Sequence, residues 1–263
     1  RIERKESILH FVLSNDDGIN APGLHALALR LRQEGRVSVV APDRERSATS
    51  HAITVHHPLR VHPVPFSEGI AAYAVDGTPA DCVRLALEVL VTDEDPCHMV
   101  ISGINDGVNL GTDVIYSGTV SAAMEAVVMG VPALAVSLAE GSPPRPWETA
   151  ADIAAHFALQ MASRGLAAGT LLNINIPATP ARILGAKITR LSTRRYMDGI
   201  HRRTDPRGRI YYWRAGIPVD SDGQRGTDTQ ALASGYVSVT PVHYDLTHYD
   251  SLEELQRWEL DLP

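Results

Sequence analysis

Apolar and polar positions along the chain alternate in blocks, and the blocks predict strands and helices in turn. Ile8 to Leu13 (ILHFVL) is a short apolar run closed by the polar stretch SNDDG, the pattern of a buried strand. Gly23 to Glu34 carries Leu24, Leu27, Leu29 and Leu31, and Gly35 follows. This predicts a helix with a C-terminal glycine cap. Val37 to Ala41 (VSVVA) is the next strand, ended by Pro42. Strand, loop, helix and strand in that order open a doubly wound parallel sheet.

The alternation continues. Thr78-Pro79 reads as a helix start, with Thr as cap and Pro at the first helical position, and that helix is expected to run through Leu90. His98 to Ser102 (HMVIS) is a strand, Gly118 to Met129 a helix of small residues, and Val131 to Leu138 another buried strand. A turn over Glu140 to Pro146 leads to a helix from Trp147 to Ser163 and a strand from Thr170 to Ile176. Beyond Pro177 the character changes. Lys187 to Arg214 is rich in Arg and Tyr, with turn signals at Asp198-Gly199 and Pro206-Arg207-Gly208, and reads as an extended hairpin or arm. Tyr236 to Val242 alternates like a strand, and Leu252 to Leu260 is a short terminal helix. The expected fold is therefore α/β and Rossmann-like, a doubly wound, mostly parallel sheet. Residues 1–180 form its core, and residues 181–263 an arm, strand and helix concerned with oligomerisation.

Composition narrows the function. The chain has 263 residues, 44% of them hydrophobic, enough for one large α/β domain with a core of ordinary size. A net charge of −7 argues against general nucleic-acid binding. Apolar runs are short, and Arg1 to Ser7 is charged and leads straight into a strand, so neither a membrane span nor a signal peptide is expected and a cytoplasmic location is. Cys82 and Cys97 lack metal or redox spacing and read as reduced thiols.

In an open parallel sheet, ligands bind beyond the carboxyl ends of the strands, which draws attention to three loops. The first is Ser14-Asn15-Asp16-Asp17-Gly18. Adjacent carboxylates behind a buried strand repel each other, and a divalent cation relieves that repulsion; a helix N-cap would account for one Asp but not both. Gly18 permits the tight turn, and Asn15 can hold a neighbouring loop. The second loop runs from Asp43 to His51. Arg44 and Arg46 suit phosphate oxygens, and Ser47 suits a metal shell, although a solvated loop with an internal Arg–Glu pair explains the same residues. The third begins at Ser102 and continues to Ser121. Asn105 offers an amide oxygen to a hard cation, and Ser117-Gly118-Thr119 precedes the small-residue helix, where free N–H groups can cradle phosphate. An ordinary cap needs only one hydroxyl, and this loop is longer than a simple connection requires. Metal, phosphate cradle and arginine together are the inventory of phosphoryl transfer to water.

His51 is the one candidate histidine acid, with a hydrogen-bonded structural role as its alternative. His56, His57 and His62 alternate beside prolines, lack a carboxylate partner and are discounted. The adjacent carboxylates do not fit the Asp-x-Asp of a covalent aspartyl phosphatase, and no glycine fingerprint of a dehydrogenase follows the first strand. A non-catalytic nucleotide sensor using the same loops stays open. The arginines from Arg190 to Arg214 could attract polyphosphate, but a subunit contact is the preferred reading.

The stretches SNDDG, PDRERSATSHAIT, DGTPADCV, SGINDGVNLGTDVIYSGTVSAAMEA and GTDTQALASGYVSVTPVHYDLT resemble the SurE survival-protein family of 5′-nucleotidases, in order and over nearly the whole chain. The resemblance implies one divalent cation per subunit, Mg²⁺ or Mn²⁺ with Ca²⁺ possible, held by Asp16, Asp17, Ser47 and Asn105. It implies phosphate contacts on the Ser117-Gly118-Thr119 turn. To these the residues themselves add Asn15 as a phosphate contact and Asp16 and Asp17 as the catalytic pair, with Asp17 favoured for the proton although the sequence does not rank the two. The implied substrate is a nucleoside monophosphate, with short polyphosphate for some members. The implied assembly is a homodimer or homotetramer formed by exchanging the C-terminal arm. One departure is Ser50, where glycine is common.

Overall fold

The computed structural model describes residues 8–258 except 68, 93, 180–182, 198, 215 and 221–224. Its apolar runs do become strands: β1 (His10–Ser14), β2 (Arg36–Pro42), β3 (Val61–Pro63), β4 (Ala71–Val75), β5 (Met99–Asp106), β6 (Ala133–Leu138) and β7 (Thr170–Ile176). With β8 (Ala186–Ile188) and β13 (Val237–His243) they form one nine-stranded sheet in the order β3-β4-β2-β1-β5-β6-β7-β13-β8. The six strands from β4 to β7 are mutually parallel, in the order of a doubly wound nucleotide-binding fold. Their order reverses between β1 and β5. At that switch point the flanking connections leave on opposite faces and open a crevice at the carboxyl ends.

Period-two alternation sorts the core into two layers. Phe11 and Leu13 pack against α1 (Pro22–Leu31) and α4 (Trp147–Arg164), while Val12 and Val100 pack against α2 (Pro79–Leu85) and α3 (Gly118–Val128). The inward face of α4 is largely alanine (Ala150, Ala151, Ala154, Ala155, Ala158), which lets its backbone lie close to the sheet.

Local signals account for the helix starts. Thr78 caps α2 and Asp81 reaches back to it, a reciprocal capping box with Pro79 behind the cap. Other expectations need correction. The helix predicted from residue 78 to 90 is α-helical only to Leu85 and then widens into a π turn over Ala86–Leu90. The first helix ends at Leu31 rather than Glu34, and Gly35 is not a left-handed cap. Gly35 is needed for close approach instead, because a Cβ there would lie 2.3 Å from the Leu9 carbonyl oxygen. The strand expected to end at Ser102 continues to Asp106 through a bulge between Ser102 and Asn105, so Asn105 and Asp106 sit on a strand end and not in a loop. β3 and β4 were not foreseen.

Past residue 180, β8 and the expected strand, β13, belong to the central sheet. What does stand apart is two antiparallel ribbons within the expected arm. They pair β10 (Ile200–Thr204) with β11 (Ile210–Arg214) and β9 (Arg194–Met197) with β12 (Ile217–Asp220). Asp198 of the predicted turn, the charged N-terminal residues 1–7 and the end of the predicted last helix lie outside the described residues. The observed terminal helix, α6, spans Tyr249–Leu255. Both cysteines are free thiols, and no helix among the described residues is long and apolar enough to cross a membrane.

Candidate active site

β1 delivers the SNDDG loop to the switch point. Asn15 is fully buried, and its side chain grips Gly18 twice, donating Nδ2–H to the carbonyl (3.0 Å) and accepting the Gly18 N–H at Oδ1 (3.1 Å). Gly18 itself has φ +96°, and a Cβ there would press on the Arg44 backbone at 3.1 Å. Through these two bonds Asn15, expected at the phosphate, braces its own loop.

The turn so formed presents two carboxylates. Asp16 is buried, 5% exposed, and its Oδ1 accepts the Thr119 hydroxyl at 2.5 Å. Burial raises its pKa, partly opposed by the hydroxyl and backbone N–H of Thr119. Asp17 is less buried and accepts the Asp106 N–H at Oδ2 (3.2 Å). Burial and then the Asp16 charge push its pKa up to about 6. Among the described residues, neither aspartate has a cationic side chain within ion-pair distance. Two carboxylates held together without a counter-charge form a site suited to a dication. Asn105 adds to it: its Nδ2 donates to the Gly107 carbonyl (2.9 Å), which leaves the amide oxygen as its available donor atom.

The α3 N-terminus closes the site. Ser117 caps the helix by accepting the Val120 N–H at Oγ (3.1 Å) and lines the cavity. Gly118 lies tight against Asp16, where a Cβ would come within 2.8 Å of the Asp16 Cβ. Thr119, expected at the phosphate, is fully buried and holds Asp16 instead. In the second loop, Arg46 N–H donates to the Asp16 carbonyl (2.7 Å), whereas its guanidinium turns to the Asp76 carbonyl (2.9 Å) and Asp43. Neither Arg44 nor Arg46 lines the cavity. Ser47 does line it, with its hydroxyl donating to Glu45 (2.8 Å). His51 makes the structural contact offered as its alternative role, pairing through Nε2 with buried Glu125 (2.8 Å), which also binds Arg84.

These elements enclose a cavity of about 1340 Å³. It holds Asp16, Asp17, Ser47, Asn105 and Ser117 together, and it adds residues that sequence reasoning did not place there: Glu45, Asp106, Tyr116, Arg194 and Arg214. Glu45 and Asp106 were detectable as immediate neighbours of expected ligands. The two arginines come from the arm, and no local signal ties them to the site. No group of three or more His, Cys, Asp or Glu able to hold a metal occurs among the described residues, so a cation here needs the neutral oxygens as well.

A doubly wound α/β sheet with two adjacent carboxylates at its switch point, facing a helix N-terminus, is of the class that binds ligands at the carboxyl ends of its strands, and its chemistry suits a hard cation and an anion. Comparison with known proteins narrows that class. Residues 11–198 match the family described as Survival protein SurE, and the chain belongs to that family. Relatives named 5′-nucleotidase SurE include one from Moorella thermoacetica, 54% identical over 93% of this chain and 94% of the relative. Another, from Heliobacterium modesticaldum, is 50% identical over 95% and 92%. The crystal structure of the SurE protein from Aquifex aeolicus superposes with a TM-score of 0.81 at 40% identity, covering 94% of this chain and 98% of that one.

Proposed function

We propose that this chain is a divalent-cation-dependent phosphomonoesterase that hydrolyses nucleoside 5′-monophosphates. The observation that carries the reading is the Asp16–Asp17 pair, which faces the cavity with no cationic side chain within ion-pair distance among the described residues. The activity named for the relatives agrees with it. Asp16, Asp17, Ser47 and the Asn105 amide oxygen would hold the cation, as two carboxylates and two neutral oxygens suit Mg²⁺ or Mn²⁺. When bound, it supplies a Lewis acid that neutralises phosphoryl charge.

The chain's own groups do the rest. Ser117 and the N–H of Gly118 orient the phosphoryl group at the positive end of α3. Thr119 fixes the rotamer of Asp16. Asp17, the more exposed carboxylate, takes the proton of the water that attacks phosphorus in line with the ribose oxygen, and a proton returns to that oxygen as its bond to phosphorus breaks. Separately, Ile200, Ile210, Tyr212 and Trp213 of the β10–β11 ribbon are at least half exposed, which suits a subunit contact. Deleting residues 197–214 is expected to lower the native oligomeric mass; an unchanged mass would remove that role.

The test is phosphate release from nucleoside 5′- and 3′-monophosphates and short polyphosphate, after chelation and after adding back Mg²⁺ or Mn²⁺. Release from the 5′-monophosphates that disappears with chelator and returns with metal is expected. Release that survives chelation would refute the cation, and binding without release under every metal would leave a nucleotide sensor.

A further inference from the structure

The carboxylates and Ser117 make up only part of the cavity lining. Ile115, Tyr116, Ile200 and Arg214 also line it, of which Ile115 is 65% exposed, Tyr116 50% and Ile200 66%. Apolar side chains open to solvent inside a concave site mark a place where something else packs. The Tyr116 position is fixed at the end of a 3-10 helix over Gly111–Tyr116. Its carbonyl accepts the Ser50 N–H (3.1 Å), the Ile115 carbonyl accepts the Ser50 hydroxyl (2.8 Å), and the next residue, Ser117, is the α3 cap. Consecutive Cα atoms lie about 3.8 Å apart, so ring and phosphate cradle are within the span of one nucleotide. The Arg214 guanidinium sits 5.3 Å from the centre of the ring, in cation–π contact.

From this juxtaposition we infer that Tyr116 and Arg214 form the nucleobase subsite, a stacking platform that takes the base by its π face. The inference rests on the nucleotidase reading and adds the specificity element that reading lacks. A ring face and a guanidinium plane both stack on any base. The subsite therefore favours purines over pyrimidines by stacking area and separates nucleotides from sugar phosphates more sharply than one base from another. Arg214 also brings positive charge to a cavity whose floor is acidic, and it comes from the ribbon. Base binding thus links the C-terminal segment to the sheet edge.

The experiment compares kcat/KM for adenosine 5′-monophosphate and for ribose 5-phosphate in the full chain with metal, for wild type, Tyr116→Ala, Tyr116→Phe and Arg214→Ala. Stacking predicts a roughly tenfold to hundredfold loss for Tyr116→Ala on the nucleotide, mostly in KM, with ribose 5-phosphate unchanged and Tyr116→Phe near wild type. Arg214→Ala, on an exposed ribbon, is expected to lose several-fold on the nucleotide alone. Equal losses on both substrates would assign Tyr116 to support of the Ser117 cradle and overturn the platform, as would no loss on either. A wild type that hydrolyses neither substrate would sink the nucleotidase reading instead. The platform is then judged by equilibrium dialysis of the nucleotide, where equal binding by wild type and both alanine variants overturns it.

Discussion

Asp17 offers a direct measurement of the charge stored at the sheet edge. Its carboxyl has an ordinary value of 3.8 and is pushed up to about 6 in the fold by burial and by Asp16. Between those values the folded chain binds more protons at this group than the unfolded chain does. The stability contributed by Asp17 therefore falls as pH rises through the window from 3.8 to about 6, and it stays low above that. At about 1.4 kcal/mol per unit, the full shift corresponds to about 3 kcal/mol, and because Asp17 is only partly buried, solvent screening reduces this to about 1–2 kcal/mol. Asp17→Asn keeps an oxygen for the Asp106 N–H and removes the charge. In chelator, urea unfolding of the two proteins from pH 4 to 7.5 should show the variant gaining on wild type by that amount as pH rises. Taking the difference cancels carboxylates shared by both proteins, such as Asp81, whose pKa shifts the other way. Saturating Mn²⁺ should reverse the order at pH 7.5, since only wild type keeps the full ligand set. A difference that stays flat with pH in chelator would refute the account of an uncompensated carboxylate pair.

Three further substitutions probe the supports of the site. Gly118→Ala places a Cβ 2.8–2.9 Å from Asp16 atoms, closer than packing allows, and is expected to cut phosphate release at least tenfold with little change in thermal midpoint; wild-type turnover would show that Asp16 can move freely. Asp228→Ala removes a fully buried carboxylate that accepts the N–H groups of Gly111 (2.7 Å) and Ser192 (3.0 Å), each leading into a cavity wall. Leaving two buried donors unpaired should cost about 2–5 kcal/mol by denaturant unfolding, with Asp228→Asn losing less. Asp81→Ala breaks the α2 capping box and the Thr54 N–H contact (3.0 Å), and a loss of about 1–2 kcal/mol with unchanged kcat is expected from the same unfolding assay plus kinetics.

The parts of this fold that were legible in the sequence are those governed by short-range physics. β1, β2, β6 and β7 are mostly apolar runs, and Thr78 and Ser117 announce their helices by hydroxyls at the cap. Adjacent Asp16 and Asp17 behind a buried strand were visible for the same reason. β3 and β4 were not, because their Val, His, Pro and Ala residues carry little apolar contrast and β3 is exposed. The placing of β13 between β7 and β8 depends on pairing partners more than 50 residues apart, on which local pattern is silent. Arg194 and Arg214 reach the cavity through that same long-range geometry. The jobs of Asn15 and Thr119 depended on which way a side chain turns by a few ångströms, beyond what spacing alone specifies.

What separates the site from the rest of the polar interior is the balance of donors around each buried carboxylate. Asp81 receives two backbone N–H groups from Thr54 and Thr78, and its pKa is lowered in spite of burial. Asp228 receives those of Gly111 and Ser192, and Glu125 is paired with His51 and Arg84. Each has a hydrogen-bond donor on both carboxylate oxygens, and each ties together segments that would otherwise drift. Asp16 is as buried as Asp81 but relies on Thr119 alone from outside its own loop, and a second carboxylate stands next to it. A fold that supplies donors elsewhere and withholds them here leaves uncompensated negative charge at its switch point, which suits the dication and phosphate proposed above. On this argument the Asp16–Asp17 turn should be the one buried acidic cluster whose stability responds to added metal. Hydrogen exchange with and without Mn²⁺ checks this directly: protection should rise at residues 14–18 and 104–106, and an equal rise around Asp81 and Asp228 would count against it.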